Sequence, residues 1–186
     1  MELNAAIVRR LDGIRPVAWN GVTLRHHSAK YSAVDGEGAR VNGGRWNPPN
    51  SFAAVYTALE RKTIDSEFQR LARRAALPPE SFLPRRLARI EVSLTRVLDL
   101  TDARTRSLLG VSTSDLTEDD WAPTEAIGLA AHYLGFEAVL APSADDPGAT
   151  LCIFMTSLAP ESRVMPVEDG EYRPPRKPAP RTTTSG

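Results

Sequence analysis

The sequence predicts an α+β fold on three observations. Strand-like runs recur along the chain, the clearest at residues 87–94, where Ile90, Val92 and Leu94 repeat at period two. Helical stripes with capping residues and Gly or Pro stops lie between the runs. The two kinds of element mix without the regular βαβ rhythm of a doubly wound parallel sheet. A chain of 186 residues, 41% hydrophobic and 25% charged, is long enough to bury the core of one such domain.

In chain order, short strands are expected at 22–26 and 53–57. Thr63 is placed to cap a helix running to about residue 77, with Ile64, Phe68, Leu71 and Ala75 on one stripe and Pro78-Pro79 as the stop. The strand at 87–94 follows, then a second short one at 96–100. Thr101 is placed to cap a short helix that ends at Gly110. Pro123 suits the first turn of a helix through 134, with Gly135 as its stop. Strands at 136–141 and 151–156 complete the set. The domain is expected to span 1–166. The remainder, 167–186, is expected to be a disordered Pro-rich tail. From 173 onward it reads RPPRKPAPRTTTSG, which buries too little apolar surface to offset its ordering entropy.

Charge and cysteine content narrow the function. Lys+Arg 23 against Asp+Glu 23 disfavours direct nucleic-acid binding or a polybasic membrane contact, both of which need a cationic excess. The single cysteine, Cys152, leaves no intramolecular disulfide and no cysteine-built zinc site. A reducing, cytoplasmic setting is expected. The first residues have no apolar targeting core, and no apolar run approaches the roughly 20 residues that span a bilayer.

Familiar catalytic motifs are missing. The chain has neither G-x-x-x-x-G-K-[ST] nor G-x-S-x-G. His26 and His27 are adjacent on a strand, so they point to opposite faces, and His132 stands alone on a helix. No metal site is expected. The densest segment is 35–47, DGEGARVNGGRWN, with Gly36, Gly38, Gly43 and Gly44 ahead of Arg45 and Trp46. Glycines let a ligand approach the main chain, and an arginine fork suits phosphate or carboxylate oxygens. The same residues also suit a hairpin turn with a solvated arginine. Glu67 lies roughly 60° from the centre of its helix's apolar stripe, as a half-shielded carboxylate or as an ordinary partner of Arg70, Arg73 or Arg74. Tyr56 ends the strand AAVYT, as a core residue with a wet hydroxyl or as a stacking surface. Ser143 follows Pro142 in a loop.

In combination these residues resemble the RES domain, whose members are toxins of toxin–antitoxin pairs. The resemblance runs from about 22 to 154 and rests on LRHHSAKYSAVDGEGAR, GGRWNPP, AVYTALE, SEFQRLA, DDWAPTEAIGLAAHYLGFEAVLAPSA and LCIFM. It implies a fold similar to ADP-ribosyltransferases, with a split, twisted, mainly antiparallel sheet flanked by helices and a dinucleotide cleft between the halves. It implies NAD⁺ as substrate, with no separate cofactor, and cleavage of the nicotinamide–ribose bond by hydrolysis or phosphorolysis, depleting cellular NAD. The family's Arg, Glu and Ser fall on Arg45, Glu67 and Ser143, its tyrosine on Tyr56 and an upstream arginine on Arg25. Tyr31 and Trp46 complete the expected NAD-binding set. The implied partner is an Xre-like helix-turn-helix antitoxin that occludes the active site. Transfer of ADP-ribose to a protein is the alternative within this class. A non-enzymatic RNA- or protein-binding module, with arginines beside Trp19, Trp46 and Tyr31, is the alternative outside it.

The chemistry suits these residue types. Cleavage releases neutral nicotinamide and needs no general acid, while the ribose passes through an oxocarbenium-like state. Glu67 would stabilise that positive charge. Arg45, with Arg25, would hold the pyrophosphate, Tyr56 would wall the nicotinamide, and Ser143 would orient the ribose or Glu67.

Overall fold

The computed structural model describes residues 2–175. Among them run α1 (Ala5–Asp12), β1 (Val17–Ser28), α2 (Glu37–Asn42), β2 (Ala54–Ala58), α3 (Arg61–Arg74), β3 (Arg85–Asp99), α4 (Ala103–Leu109), α5 (Thr113–Thr117), α6 (Ala122–Tyr133), β4 (Ala138–Pro142), β5 (Ala149–Phe154) and β6 (Arg163–Glu171). The class is α+β, as the mixed rhythm of the sequence predicts.

The strand order is β1-β2-β5-β4-β3-β6, and β1 also pairs with β3. The first five strands therefore close into a barrel-like ring, with β6 added along the first half of β3. Every pairing is antiparallel except β3 with β4. The halves of the sheet are joined along β1 and β3, whereas β1 and β2 meet at one register pair, Leu24 and Ala58. Alternate residues divide the apolar side chains between the two faces. Val55, Ile90, Val92, Leu140, Leu151 and Ile153 pack together on the enclosed face. Ala54, Leu98, Val139, Cys152 and Phe154 face outward and are covered by residues of α1, α4, α5 and α6.

Several elements depart from the sequence expectation. Residues 87–94 and 96–100 are parts of one strand, β3, with an irregularity opposite Val17–Trp19. The fully buried Glu137 carboxylate bridges that point. It accepts the N–H groups of Thr95, Arg96 and Ala159 and the Thr95 hydroxyl, at 2.7–3.0 Å. Glu60, not Thr63, stands at the N-cap of α3. Thr63 lies inside the first turn and donates its hydroxyl to Asp146 at 3.1 Å. The buried stripe of α3 is Thr63, Ile64, Phe68 and Ala72, so Leu71 and Ala75 fall off it.

The expected boundary after 166 is also corrected. Strand β6 continues to Glu171, and Tyr172 beyond it is 2% exposed. Most side chains of β6 are exposed, so no alternation marks the strand. Backbone pairing with β3, the contacts of Asp169 with the buried His27 and with Arg86, and one aromatic anchor hold it. Tyr172 packs on Phe68 and His26 and donates its hydroxyl to Asp65 at 2.8 Å. Residues 176–186 of the expected tail lie outside the described residues.

Candidate active site

The glycine-rich segment folds into α2 followed by a tight turn. Gly43 ends the helix at φ 73°, a conformation that favours glycine. Gly44 and Asn47 then pair across the turn. Tyr56 of β2 locks this turn from below. Its hydroxyl donates to Asn47 Oδ1 at 2.7 Å and accepts the Trp46 N–H at 2.9 Å. The buried Asn47 amide donates in turn to the carbonyls of Ala39, at 2.8 Å, and Phe52, at 3.4 Å. A Cβ on Gly44 would lie 2.5 Å from the Tyr56 hydroxyl, so glycine is what lets the turn sit on the ring. Burial pushes the Tyr56 phenol well above its usual range, keeping it neutral.

Arg45, at the tip of the turn, is neither solvated nor free. Its Nη1 donates to the carbonyls of Leu116, at 2.9 Å, and Glu118, at 2.7 Å, satisfying groups left open at the end of α5. Burial, followed by repulsion from Arg70 and Arg74, lowers its pKa. Arg45 is thus committed in part to structure, while its guanidinium still lines the adjoining cavity.

That cavity has a volume of about 420 Å³, within the range of small-molecule sites. Arg45, Trp46, Tyr56 and Glu67 all line it. The other walls come from Arg70, Leu71 and Arg74 of α3, Trp121 at the start of α6, and Ala144 and Asp145 after β4. The Arg74 guanidinium lies 4.0 Å from the Trp121 ring centroid and that of Arg45 5.6 Å from it. Trp46 is 1% exposed and forms part of the floor, so the more accessible indole is Trp121.

Three expected residues stand away from the wall. Arg25 is half-buried on β1, where its Nη1 donates to the Ala33 carbonyl at 2.7 Å. Tyr31 is 64% exposed. Ser143 is buried between wall residues, but its hydroxyl turns into its own loop and accepts the Asp145 N–H at 3.2 Å. It positions Asp145 and does not face the cavity. Arg70, Arg74, Trp121 and Asp145 were not anticipated as wall residues. The signal for the first two is in the sequence: Glu67, Arg70, Leu71 and Arg74 follow i, i+3, i+4, i+7 spacing, a second face of α3 beside its apolar stripe.

Glu67 is electrostatically unusual. Burial is the main cause that pushes its carboxyl up to about 7, Asp145 and Asp146 add to it, and Arg70 opposes it. No hydrogen bond to its carboxylate occurs among the described residues, although Arg70 is one helical turn away. Glu137 provides the internal comparison. The Ser162 side chain and the N–H groups of Ala159, Arg96 and Thr95 hold it below the usual carboxylate range although burial acts the other way. A shielded carboxylate without donors, facing a cavity beside arginines, has the character of a functional group rather than a structural one.

Among the described residues no cluster of His, Cys, Asp and Glu could hold a metal ion, and no helix is long and apolar enough to cross a membrane. Residue 19 to residue 175 matches the RES domain family. The chain is 36% identical over 154 residues to the NAD(+) phosphorylase MbcT of Mycobacterium tuberculosis, covering 82% of this chain and 83% of that protein. It is 47% identical over 116 residues to a probable NAD(+) phosphorylase of the same organism, covering 62% of this chain and 50% of the relative. The crystal structure of the M. tuberculosis MbcT–MbcA toxin–antitoxin complex superposes with a TM-score of 0.84 at 32% identity, over 92% of this chain and 94% of that one.

Proposed function

The chain belongs to the RES domain family, and from that premise we propose that it is the toxin of a toxin–antitoxin pair that breaks the nicotinamide–ribose bond of NAD⁺. The observation that carries this reading is Glu67, a shielded carboxylate without donors in a cavity that also holds three arginines and a tyrosine. The names of its relatives support phosphate as the acceptor of the ribosyl group.

In this mechanism the electron pair of the C–N bond leaves with the pyridine nitrogen, and nicotinamide departs neutral. Positive charge gathers on the ribose at C1 and the ring oxygen. The Glu67 carboxylate faces that charge in a site of low dielectric, where the attraction is strong and little reorganisation is needed. Its raised pKa falls when the cationic nicotinamide ring of the substrate comes beside it, so the ionised form is the reactive one. Tyr56 and Trp121 supply flat apolar surfaces for the nicotinamide, and the end of the cavity at the Arg45 turn receives the pyrophosphate. Arg45 acts there chiefly by holding the turn against α5. Ser143 fixes Asp145, and Arg25 stiffens β1 behind the cavity.

The partner we propose is an Xre-like helix-turn-helix antitoxin that covers the cavity mouth. The assay is incubation of the purified protein with NAD⁺ and phosphate, with and without the antitoxin, following nicotinamide and the ribosyl products. Release of nicotinamide that stops in the complex is expected. No release by the free protein refutes the activity, and full activity in a stable complex refutes occlusion.

A further inference from the structure

A second cleft, of about 440 Å³, adjoins the first. Arg70, Arg73 and Arg74 line it together with Thr117 and Asp119, and it shares Arg70, Arg74, Ala144 and Asp145 with the first cavity. The two spaces therefore share two arginines and a carboxylate. Along the axis of α3 the Cα atoms of Arg70 and Arg74 stand about 4.5 Å and about 10.5 Å from that of Glu67, at about 1.5 Å per residue.

The cations are unevenly compensated: Arg73 pairs with the shielded Asp145 at 3.2 Å. Arg74 makes no ion pair among the described residues and rests on the Trp121 ring. Arg70 contacts Asp119 at 2.5 Å and Asp145 at 3.5 Å. Asp119 is 84% exposed, and a partner in that setting contributes little and exchanges readily with solvent ions. Burial first, and then repulsion from Arg70 and Arg74, disfavours the Arg45 cation, with Asp119 and Asp145 acting the other way, so an anion between the three arginines would relieve their mutual repulsion.

The chemistry of ribosyl transfer calls for such a place. With NAD⁺ filling the aromatic-walled cavity, the acceptor needs a separate entry. Hydrogen phosphate already carries an anionic oxygen. That oxygen forms the new bond to C1 as the C–N pair leaves with nicotinamide, giving ADP-ribose 1-phosphate with no proton to remove. Its charge must be held close to Glu67 without being repelled, which planar guanidinium forks do well.

Resting on the NAD⁺-cleaving reading, we propose that Arg70 and Arg74 form the subsite for the acceptor phosphate, entered through the second cleft, and that the Asp119 carboxylate occupies it until phosphate displaces it. Arg70 grips the attacking phosphate, and Arg74 holds its outer oxygens. Asp119 competes for the same fork.

The test uses the full chain. Initial rates of nicotinamide release are measured against phosphate at saturating NAD⁺, and against NAD⁺ at saturating phosphate. Arg70→Gln and Arg74→Gln should each raise the KM for phosphate by about ten- to hundredfold, the loss of a charge-assisted contact, and leave the KM for NAD⁺ nearly unchanged. Asp119→Asn should lower the KM for phosphate. A rise confined to the KM for NAD⁺ overturns the proposal and assigns the arginines to the pyrophosphate. Unchanged constants overturn it as well. Phosphorus-31 line broadening of inorganic phosphate by wild-type protein, lost in the arginine variants, tests the subsite without catalysis. Broadening without nicotinamide release would sink the function and keep the subsite; no broadening by wild-type protein would sink the subsite. Arg74→Gln, whose side chain makes no ion pair, serves if Arg70→Gln fails to fold.

Discussion

Replacing Glu67 by Gln should slow NAD⁺ cleavage and stabilise the fold at the same time. Burial, with Asp145 and Asp146 nearby, raises this carboxyl from 4.5 to about 7. The unfolded chain releases the proton near 4.5, while the folded chain keeps it to about 7. Below the lower value both states are protonated and Glu67 has no effect. Between the two the unfolded state binds fewer protons, so stability falls as pH rises, and above the upper value the penalty is complete. At about 1.36 kcal/mol per unit the full penalty is about 3 kcal/mol. Glutamine carries no charge and escapes it. The variant should match wild type near pH 4.5 and exceed it at pH 8, raising Tm there by up to about 6–12 °C. Turnover should fall by roughly 10²–10³, or about 2.7–4 kcal/mol. Affinity for NAD⁺ should change far less, because the ribosyl charge develops only in the transition state. The assay is a set of paired melts from pH 4.5 to 8, with single-turnover rates and a separate NAD⁺ dissociation constant. A Tm difference that does not grow with pH would refute the buried-charge reasoning. Near-normal turnover would leave Glu67 without a catalytic part.

Other perturbations follow from the same contacts. Wild-type kcat/KM should climb with pH to a plateau above about 7, as Glu67 ionises in the free enzyme; a profile already flat below pH 6 would contradict this. Tyr56→Phe removes the partner of the Trp46 N–H and of Asn47 Oδ1. It should cost about 1–3 kcal/mol in urea unfolding and raise the KM for NAD⁺ as the turn loosens; unchanged stability would show that the turn does not depend on this hydroxyl. Arg45→Lys cannot span the Leu116 and Glu118 carbonyls and should lose about 1 kcal/mol, whereas wild-type stability would rule out the fork as the lock on α5. Tyr172→Ala should cost about 3–5 kcal/mol, as for a large buried aromatic, and Tyr172→Phe about 1 kcal/mol; a neutral Ala variant would return the domain boundary to residue 166.

Much of the fold was legible because local signals and tertiary packing agreed. Ile90, Val92 and Leu94 are buried as their period-two spacing demands, and Gly110 ends α4 in a left-handed conformation. β6 was not legible, since backbone pairing leaves no pattern in side chains that face solvent on both sides. Strand β3 read as two strands because the buried Glu137 that bridges its irregularity looks polar in sequence and is distant from it in the chain. In the site, Arg45, Trp46, Tyr56 and Glu67 were placed by resemblance and share one cavity. Composition did not disclose how they divide the work. The Tyr56 hydroxyl and one arm of Arg45 are spent on the turn and on α5. Arg25 and Ser143 brace neighbouring backbone instead of lining the wall. Trp121 was missed because a single tryptophan at a helix start has no distinguishing spacing, and it reaches the cavity only through the packing of α6.

The two faces of α3 explain how a half-buried carboxylate without protein donors is tolerated. One face sets Ile64 and Phe68 against Tyr172 and Leu24 of β1. Burying a side chain such as Ile64 or Phe68 contributes about 1.5–3 kcal/mol, so the two together match or exceed the charge penalty of about 3 kcal/mol at Glu67. The other face is then free to carry groups chosen for chemistry. Glu67 lacks the donors that satisfy Glu137, and Arg70 and Arg74 lie within two turns of it on the same rigid element. A helix fixed on its apolar side holds those charges at set distances, whereas a loop would let them pair with each other. Donors supplied to Glu67 would lower its pKa and improve stability, but they would also neutralise the charge that the ribosyl cation needs. In the proposed mechanism the strain at Glu67 lies where the reaction would use it, and Tyr172 anchors the helix that carries it.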